Sequence, residues 1–496
     1  MNSSLQQVMH TIRSLDSAMA ILGWDQETYM PDGAAEARAE QISALAGLRH
    51  SHVTADETRK ALEEAMAGAE ALSPLQQGVV RQFANDVQRA TKLPQKHVQE
   101  IAKASSLGQD AWKRARLSSD FTVFQPALER ITELKRTEAE YLGYEAHPYN
   151  AMLDLYEPGL SVQALNPVFD ALAQGTRVLL DKIGPHTSSV HDAVLYRSYP
   201  KNEQLEFARS IVQQLGFSFE TGRVDLSAHP FCTSFAITDV RLTTRVFEND
   251  LRSCLFGLIH ESGHGMYEQG INRELEFTAV AEGASMGIHE SQSLFWENII
   301  ARSEEFWVWA FPKLRDAFPD QLADQTPESF FKAVNAMRPS LNRVESDELT
   351  YNLHIILRFG IERDLMDGTL TVADIPEMWN AGMRNLLGVV PANDAEGCLQ
   401  DVHWSFGGIG YFPSYTLGKL YGAMLWNSLK TEIPDVAAKI SSGTFAPILS
   451  WLRTNIHQYG RTEKPAEIIS RVCGRLLTEK DFLDYIGAKA ACVYGV

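Results

Sequence analysis

The stretch LFGLIHESGHGMYEQG, residues 255–270, contains two histidines four positions apart, with a glutamate directly after the first. Residues four apart lie one turn apart on the same face of an α-helix, so the imidazoles of His260 and His264 can converge on one ion. Glu261 lies about 100° further round the helix, close to such an ion without having to bind it. This HExxH pattern predicts a metal-binding helix with a carboxylate beside the metal.

The chemistry expected of such a helix is hydrolysis. A zinc ion bound by histidines lowers the pKa of its water towards about 7, and a nearby glutamate can accept the proton. The chain has 14 histidines among 496 residues, and at such frequencies HExxH arises by chance in roughly 3% of chains this long. Chance is therefore a poor explanation of the motif, and the surrounding sequence is needed to judge whether it is functional.

The predicted helix begins near Asn249–Asp250 and ends at Gly270. Its interior contains Gly257, Gly263 and Gly265, each of which costs roughly 1 kcal/mol relative to alanine. We attribute Gly263 and Gly265 to the close approach of a second metal-ligand helix or of a substrate. Tight helix packing is the alternative for each glycine.

A catalytic zinc usually has three protein ligands, so one more must come from elsewhere. The acidic residues downstream are Glu268, Glu274, Glu276, Glu282 and Glu290. Glu268 would give a poor tetrahedron from the same helix, whereas Glu282 and Glu290 are predicted on the next helix. Glu290 shares its stripe with small residues that allow close packing, and spacing alone favours it slightly. We expect the adjacent His289 to support a ligand or to pack in the core.

Composition excludes several classes of partner. The net charge of −18 opposes attraction to phosphate backbones and anionic membranes, so we expect neither nucleic acid nor membrane as a partner. Five scattered cysteines without a CxxC pair are typical of a reducing compartment. No apolar run of about 18 residues and no signal-peptide pattern occurs, which predicts a cytoplasmic protein.

Most of the chain shows the three- and four-residue hydrophobic steps of helices, which predicts a mostly α fold. DVRLTTRVF, starting at residue 239, alternates instead and predicts a half-buried strand, either supporting the core or pairing at an edge with an extended peptide. Residues 391–415 predict a long ordered loop. We expect 1–496 to form one domain: a helical part to about 225, a metal-site and cleft part from 226 to about 420, and helices from 421 to 496.

Further motifs give the chain a resemblance to the M32 metallocarboxypeptidases, the carboxypeptidase Taq family. They are HESGH (260–264) followed by HESQS (289–293), WDQETYMP (24–31), HPF (229–231), DVRLT (239–243), GCLQDVHW (397–404) and GYFPSYTLG (410–418). The motifs span nearly the whole chain, and jointly they are very specific.

The resemblance implies a large helical gluzincin-type peptidase with a deep groove and a small β-sheet beside the active-site helix. It implies a zinc-dependent, or cobalt-activated, carboxypeptidase of broad specificity that shortens peptides with a free C-terminus, and a homodimer. By this match His260, His264 and Glu290 bind the metal, and Glu261 is the general base and acid.

Peptide hydrolysis also needs a proton donor near the oxyanion. His403 and Tyr411, in the long loop, suit that role, and their spacing resembles the His and Tyr pair of related helical peptidases. Tyr415 is an alternative donor. The competing interpretations are a histidine that orders the loop and a tyrosine ring packed in the cleft wall.

A carboxypeptidase must bind a free carboxylate, which a bidentate arginine recognises well. Arg358, in an apolar helix, is either this arginine or part of a structural ion pair with a glutamate. Arg241, on the polar side of the predicted strand, is a second candidate, with Asp239 as a possible partner. Gln400 either donates to a substrate carbonyl or supports the loop.

Two other functions remain open on the sequence alone. One is an oligoendopeptidase with the same scaffold and zinc chemistry, and the other is a non-catalytic, metal-stabilised peptide-binding protein. The intact Glu261 argues against the latter, because a structural site needs no base and closes its fourth position.

Overall fold

The structure, a computed structural model, describes residues 3–496, which are mostly α-helical, as predicted. The helices are α1 (Ser3–Thr28), α2 (Ala35–Val53), α3 (Asp56–Ala67), α4 (Pro74–Lys92), α5 (Gln95–Ser118), α6 (Gln125–Leu142), α7 (Tyr149–Tyr156), α8 (Val162–Ile183), α9 (Lys201–Leu215), α10 (Leu251–Glu268), α11 (Met286–Leu294), α12 (Glu304–Ala317), α13 (Pro327–Val334), α14 (Tyr351–Asp367), α15 (Ile375–Leu387), α16 (Pro413–Glu432), α17 (Val436–Ser441), α18 (Ala446–Asn455), α19 (Pro465–Cys473) and α20 (Lys480–Tyr494). None of these helices combines the length and the apolar composition that a membrane crossing requires.

The chain divides into two compact units. The first consists of the part up to Thr91 with His191–Val334 and Gly422–Leu476, and the second consists of Lys92–Val190, Asn335–Tyr421 and Leu477–Val496. Helix α16 contributes residues to both units. The expected single domain with its three parts stays a prediction.

The first unit contains a small sheet beside the HExxH helix. Its strands are β1 (Gly222–Leu226), β2 (Cys232–Ala236) and β3 (Asp239–Thr244), in the order β1-β3-β2. Strand β3 pairs in parallel with β1 and antiparallel with β2. The alternating strand is therefore central, and its interpretation as an edge strand that pairs with a peptide is wrong, because both of its edges are occupied.

Helix α10 has the predicted bounds, and the Asp250 side chain accepts a hydrogen bond from the Arg252 amide at its start. A Cβ on Gly263 would lie 2.6 Å from the Gln292 oxygen and the Ser293 Cα of α11. The predicted approach of a second helix is thus confirmed for Gly263. It is wrong for Gly265, where a Cβ would meet the side chains of Phe217 and Leu242, so this glycine lets α10 pack against the sheet.

Helix α11 begins later than the sequence pattern predicts. Ser285 precedes it, and the Ser285 hydroxyl accepts a hydrogen bond from the Ile288 amide. Glu282 therefore lies before the helix rather than on it, whereas Glu290 lies on it. A π-helical turn, Phe295–Ile300, follows directly, and such turns are frequent at functional sites.

The predicted long loop lies in the second unit. It connects α15 to α16 and contains one short 3₁₀ turn, His403–Phe406. The segment between the two helices runs from 388 to 412, so it begins and ends three residues earlier than predicted.

Candidate metal centre and associated clusters

Three donor groups converge between α10 and α11. The ligand atoms of His260, His264 and Glu290 all lie within 4.8 Å of one another. The Oε2 atom of Glu290 is 3.8 Å from Nε2 of His260 and 3.6 Å from Nε2 of His264. Two imidazoles and one carboxylate with a fourth position left for substrate or water form a donor set that fits a catalytic divalent metal.

Glu261 lies beside this cluster and is 8% exposed. Burial raises the pKa of its carboxyl to about 7; His260 opposes this shift, and Glu290 and Glu297 reinforce it. A carboxyl with a pKa near neutrality can both accept and donate a proton, as a general base and acid must.

His260 is held by a carboxylate from the π-helical turn. Its Nδ1 lies 2.9 Å from Oε2 of Glu297, and Oε1 of Glu297 accepts a hydrogen bond from Arg302 at 3.0 Å. Burial opposes ionisation of Glu297, but His260 and Arg302 lower its pKa to about 2. An ionised partner at Nδ1 leaves Nε2 of His260 for a metal. Sequence reasoning missed Glu297, although a spacing of seven residues from Glu290 puts both on one helical face.

His264 has a different partner. Its Nδ1 lies 2.6 Å from Nδ1 of His289, whose Nε2 lies 2.8 Å from Oε1 of Glu268. Burial lowers the pKa of His264 to about 4, so this imidazole is neutral near pH 7. His289 thus contacts a candidate ligand, in line with the supporting role expected of it.

In the second unit, the structure brings His403, Tyr411 and Tyr415 together. Nε2 of His403 lies 3.2 Å from the Tyr415 hydroxyl, and the His403 and Tyr411 rings are 5.2 Å apart. Burial lowers the pKa of His403 to about 4, which makes its imidazole neutral near pH 7. The three side chains form a cluster that can donate hydrogen bonds to an anionic oxygen.

A buried carboxylate holds the loop that carries this cluster. Glu362 of α14, which is fully buried, accepts hydrogen bonds from Nε1 of Trp404 at 2.8 Å and from the Gly410 amide at 2.9 Å. The Tyr149 hydroxyl is its third donor. Sequence reasoning missed Glu362, because nothing in its helix identifies a partner about 40 residues away.

Arg358 is also fully buried. It donates to Asp401 at 2.7 Å, to Gln400 at 2.8 Å and to the His354 carbonyl at 2.7 Å. This placement fits the structural ion pair better than a substrate-binding role, with Asp401 as partner instead of the expected glutamate.

Gln400 also contacts groups that hold the loop, all of them in the second unit. Its Oε1 also accepts from the Arg343 amide at 3.0 Å, and its Nε2 donates to the carbonyls of Leu341 and Glu396. The supporting interpretation therefore fits Gln400 better than donation to a substrate.

Arg343, which sequence reasoning missed, shares Asp401 with Arg358. It donates to Oδ1 of Asp401 at 2.7 Å, and its guanidinium carbon lies 5.0 Å from the Tyr415 ring centroid. Two guanidinium groups on one carboxylate leave a surplus positive charge beside Tyr415. The polar surroundings SLNRVESDE give no periodic pattern that would single this arginine out.

Arg241 lies in the first unit, on β3. It forms a bidentate pair with Asp239 at 2.9 and 3.0 Å, the partner that the sequence suggested. Its guanidinium carbon also lies 4.5 Å from the Trp24 ring centroid. These contacts link the WDQETYMP motif of α1 to the sheet.

The metal cluster and its glutamate define the class of metallohydrolases that use a helical HExxH motif. Comparison with known proteins specifies the family. Residues 4–490 match the family described as Carboxypeptidase Taq (M32) metallopeptidase. Carboxypeptidase 1 of Bacillus subtilis is 37% identical over 487 residues, covering 98% of this chain and 97% of the relative. Thermostable carboxypeptidase 1 of Pyrococcus furiosus is 38% identical over 493 residues, with 98% of both chains covered.

Solved structures agree with this assignment. The crystal structure of the M32 carboxypeptidase from Deinococcus radiodurans R1 superimposes with a TM-score of 0.97, at 37% identity and 99% coverage of both chains. The chain belongs to the carboxypeptidase Taq (M32) family and is a metallocarboxypeptidase acting on peptides. Membership supports the carboxypeptidase prediction over both alternatives.

Proposed function

We propose that this carboxypeptidase binds Zn²⁺ through His260, His264 and Glu290, with Co²⁺ as an acceptable replacement, and that Glu261 transfers the protons. The observation that carries the proposal is the convergence of three donors within 4.8 Å beside a buried glutamate. When bound, the divalent ion supplies Lewis acidity.

Glu261 performs the proton transfers in this proposal. Its carboxylate accepts a proton from the water that attacks the C-terminal peptide bond, and its carboxylic acid then gives that proton to the leaving amine. The shift of its pKa to about 7 favours both steps near neutral pH.

His403 and Tyr411 are the proposed donors to the oxyanion, with Tyr415 as the alternative. The neutral state of His403 supports donation from a ring N–H. The Tyr411 ring packs against the rings of His403 and Tyr415, and the Tyr415 hydroxyl lies 3.2 Å from Nε2 of His403. For the terminal carboxylate of the substrate, Arg343 is a further candidate beside Arg358 and Arg241. All three guanidinium groups contact a carboxylate of this chain, but Arg343 and Arg358 share Asp401, which leaves one positive charge in excess at that pair.

The proposed exopeptidase action is tested with pairs of peptides that have the same sequence and either a free or an amidated C-terminus. We expect stepwise loss of single C-terminal residues from the free acid, stopped by a chelator, and at least a hundredfold slower cleavage of the amide, because amidation removes the carboxylate that an arginine reads. Mass spectrometry over a time course follows both peptides. Internal cleavage of the amidated peptide would support an oligoendopeptidase instead. No cleavage of either peptide by metal-loaded protein would support a binding protein.

Replacing Tyr411 by Phe tests the oxyanion role. We expect kcat to fall by about 10²–10³-fold while KM changes little, because a donor that acts only in the transition state is lost. Steady-state kinetics on a free-acid peptide measure this effect. Tyr415→Phe is the matched control, since it removes a hydroxyl from the same cluster. A larger loss in Tyr415→Phe than in Tyr411→Phe would exchange the two roles.

We further propose a cytoplasmic homodimer with broad specificity for the C-terminal residue. The family resemblance supports the dimer and the permissive specificity, and the five scattered cysteines, which are typical of a reducing compartment, support the localisation. Sedimentation measurements test the dimer, and a peptide set that varies only the C-terminal residue tests the specificity.

A further inference from the structure

A chain of three side chains leads away from the candidate metal centre. Nδ1 of His264 is 2.6 Å from Nδ1 of His289, and Nε2 of His289 is 2.8 Å from Oε1 of Glu268. Glu268 is 5% exposed, and it lies on α10 one turn after His264. His289 comes from α11, directly before Glu290. The two helices that supply the metal donors therefore also supply this chain.

The contacts allow one consistent arrangement of protons when Nε2 of His264 binds a metal. The ring proton of His264 must then be on Nδ1, so His264 donates to Nδ1 of His289. The proton of His289 must be on Nε2, so His289 donates to the Glu268 carboxylate. In the reverse arrangement His264 carries its proton on Nε2, which occupies the lone pair that a metal needs.

We propose that Glu268, acting through His289, fixes the tautomer and the ring orientation of His264. Glu268 and His289 are therefore positioning residues for this metal ligand. This inference rests on the proposed metal centre. A carboxylate or carbonyl normally holds the second nitrogen of a ligating histidine directly. Here the carboxylate acts through an intervening imidazole.

The packing around His289 supports the assignment. A Cβ on Gly283 would lie 2.4 Å from Cδ2 of His289, so glycine at 283 leaves the room that this ring orientation requires. On another side, the Tyr267 ring centroid is 5.1 Å from that of His289, and the Tyr267 hydroxyl accepts a hydrogen bond from the Ala284 amide. The His289 ring is therefore confined between Gly283 and Tyr267.

The two candidate histidine ligands are supported unequally. His260 contacts an ionised carboxylate, Glu297, whose charge Arg302 balances. His264 contacts the His289 imidazole, and the Glu268 carboxylate lies on the far side of that ring. This arrangement fixes both tautomers, although only one of these two carboxylates, Glu297, contacts a histidine ligand directly.

Three substitutions separate this role from simple packing. His289→Leu removes the acceptor for His264, and we expect Zn²⁺ affinity to fall by about 10–100-fold. His289→Asn places a carbonyl oxygen near the former Nδ1 position, and we expect affinity within about threefold of the wild type, because an acceptor for His264 is all that binding requires. Glu268→Gln keeps an acceptor but loses the charge, and we expect an intermediate loss.

The measurement is Zn²⁺ competition against a chromophoric chelator at fixed pH, with the visible absorption of the Co²⁺-loaded proteins as a report on ligand geometry. His457→Asn is the matched control. His457 is another fully buried histidine against Tyr267, but it contacts Gln292 instead of a candidate ligand. We expect its Zn²⁺ affinity and Co²⁺ spectrum to equal those of the wild type.

Equal weakening by His289→Leu and His289→Asn would overturn the inference, because it would mean that His289 acts by packing beside Glu290. Unchanged affinity in both would overturn it as well. If His289→Leu does not fold, Gly283→Ala replaces it, because the added Cβ displaces the His289 ring; wild-type affinity there would also contradict the inference. Failure of the wild type itself to bind Zn²⁺ would refute the metal centre and the positioning role with it, whereas a wild type that binds Zn²⁺ with unchanged His289 variants would refute the positioning role alone.

Discussion

Glu261→Gln is expected to lower kcat by about 10²–10⁴-fold while the protein keeps its full complement of metal. Glutamine has nearly the same shape as glutamate, but its amide cannot accept the proton of the attacking water. Glu261 lies outside the three converging donors, so the metal stoichiometry should not change. Kinetics on a free-acid peptide and elemental analysis of the same sample provide the two measurements.

Glu274→Gln is the matched control for this variant, since Glu274 is an exposed residue close in sequence and the substitution makes the same change in charge. Its kcat and metal content should equal those of the wild type. Persistent hydrolysis by a clean preparation of Glu261→Gln would mean that another group takes the proton. A loss of metal in that variant would instead identify Glu261 as a ligand.

The parts of this fold that the sequence predicts well are those with local physical causes. The bounds of α10 follow from its cap and its hydrophobic steps, and the close approach of α11 follows from the glycine inside the helix at position 263. Residue type and spacing are sufficient for these two features, because the helix cap and the glycine both lie within a few turns of α10.

The failures concern partners that are distant along the chain. Alternation at β3 predicts a strand but does not reveal how many neighbours it has, and two of them flank it. Burial of Arg358 requires an acid, but the pattern of α14 cannot identify Asp401, 43 residues further on. One error is local instead. The hydrophobic steps continue through the turn before α11 and predict Glu282 on that helix, whereas the Ser285 cap marks its true start.

The groups around the candidate metal centre show the same limit. Spacing alone could identify Glu297, because it lies two helical turns after Glu290. The contacts from His264 through His289 to Glu268 depend instead on which nitrogen of each imidazole faces the other. That orientation is decided by packing against Gly283 and Tyr267. Spacing therefore identifies which residues bind a metal more readily than it identifies which residues orient them.

His264→Ala is expected to lose the metal and, with it, the activity. Removing a supporting partner of a ligand already costs about 10–100-fold in metal affinity, so removing the ligand itself should cost more than about 100-fold. His260 and Glu290 would remain, and two donors do not complete a catalytic zinc site. We expect less than a tenth of the wild-type zinc after dialysis against a weak chelator, and a matching loss of peptide hydrolysis.

His457→Ala is the control for the loss of a buried imidazole in the same unit, and it should retain zinc and activity if the protein folds. Thermal unfolding of the metal-free proteins separates a loss of fold from a loss of ligand. We expect His264→Ala to unfold in a cooperative transition without metal, which would show that the variant is folded. Undiminished zinc in His264→Ala would refute the ligand set. Retained zinc with activity lost would show that His264 acts on the reaction and not on metal binding, since the remaining donors would then suffice to hold the ion.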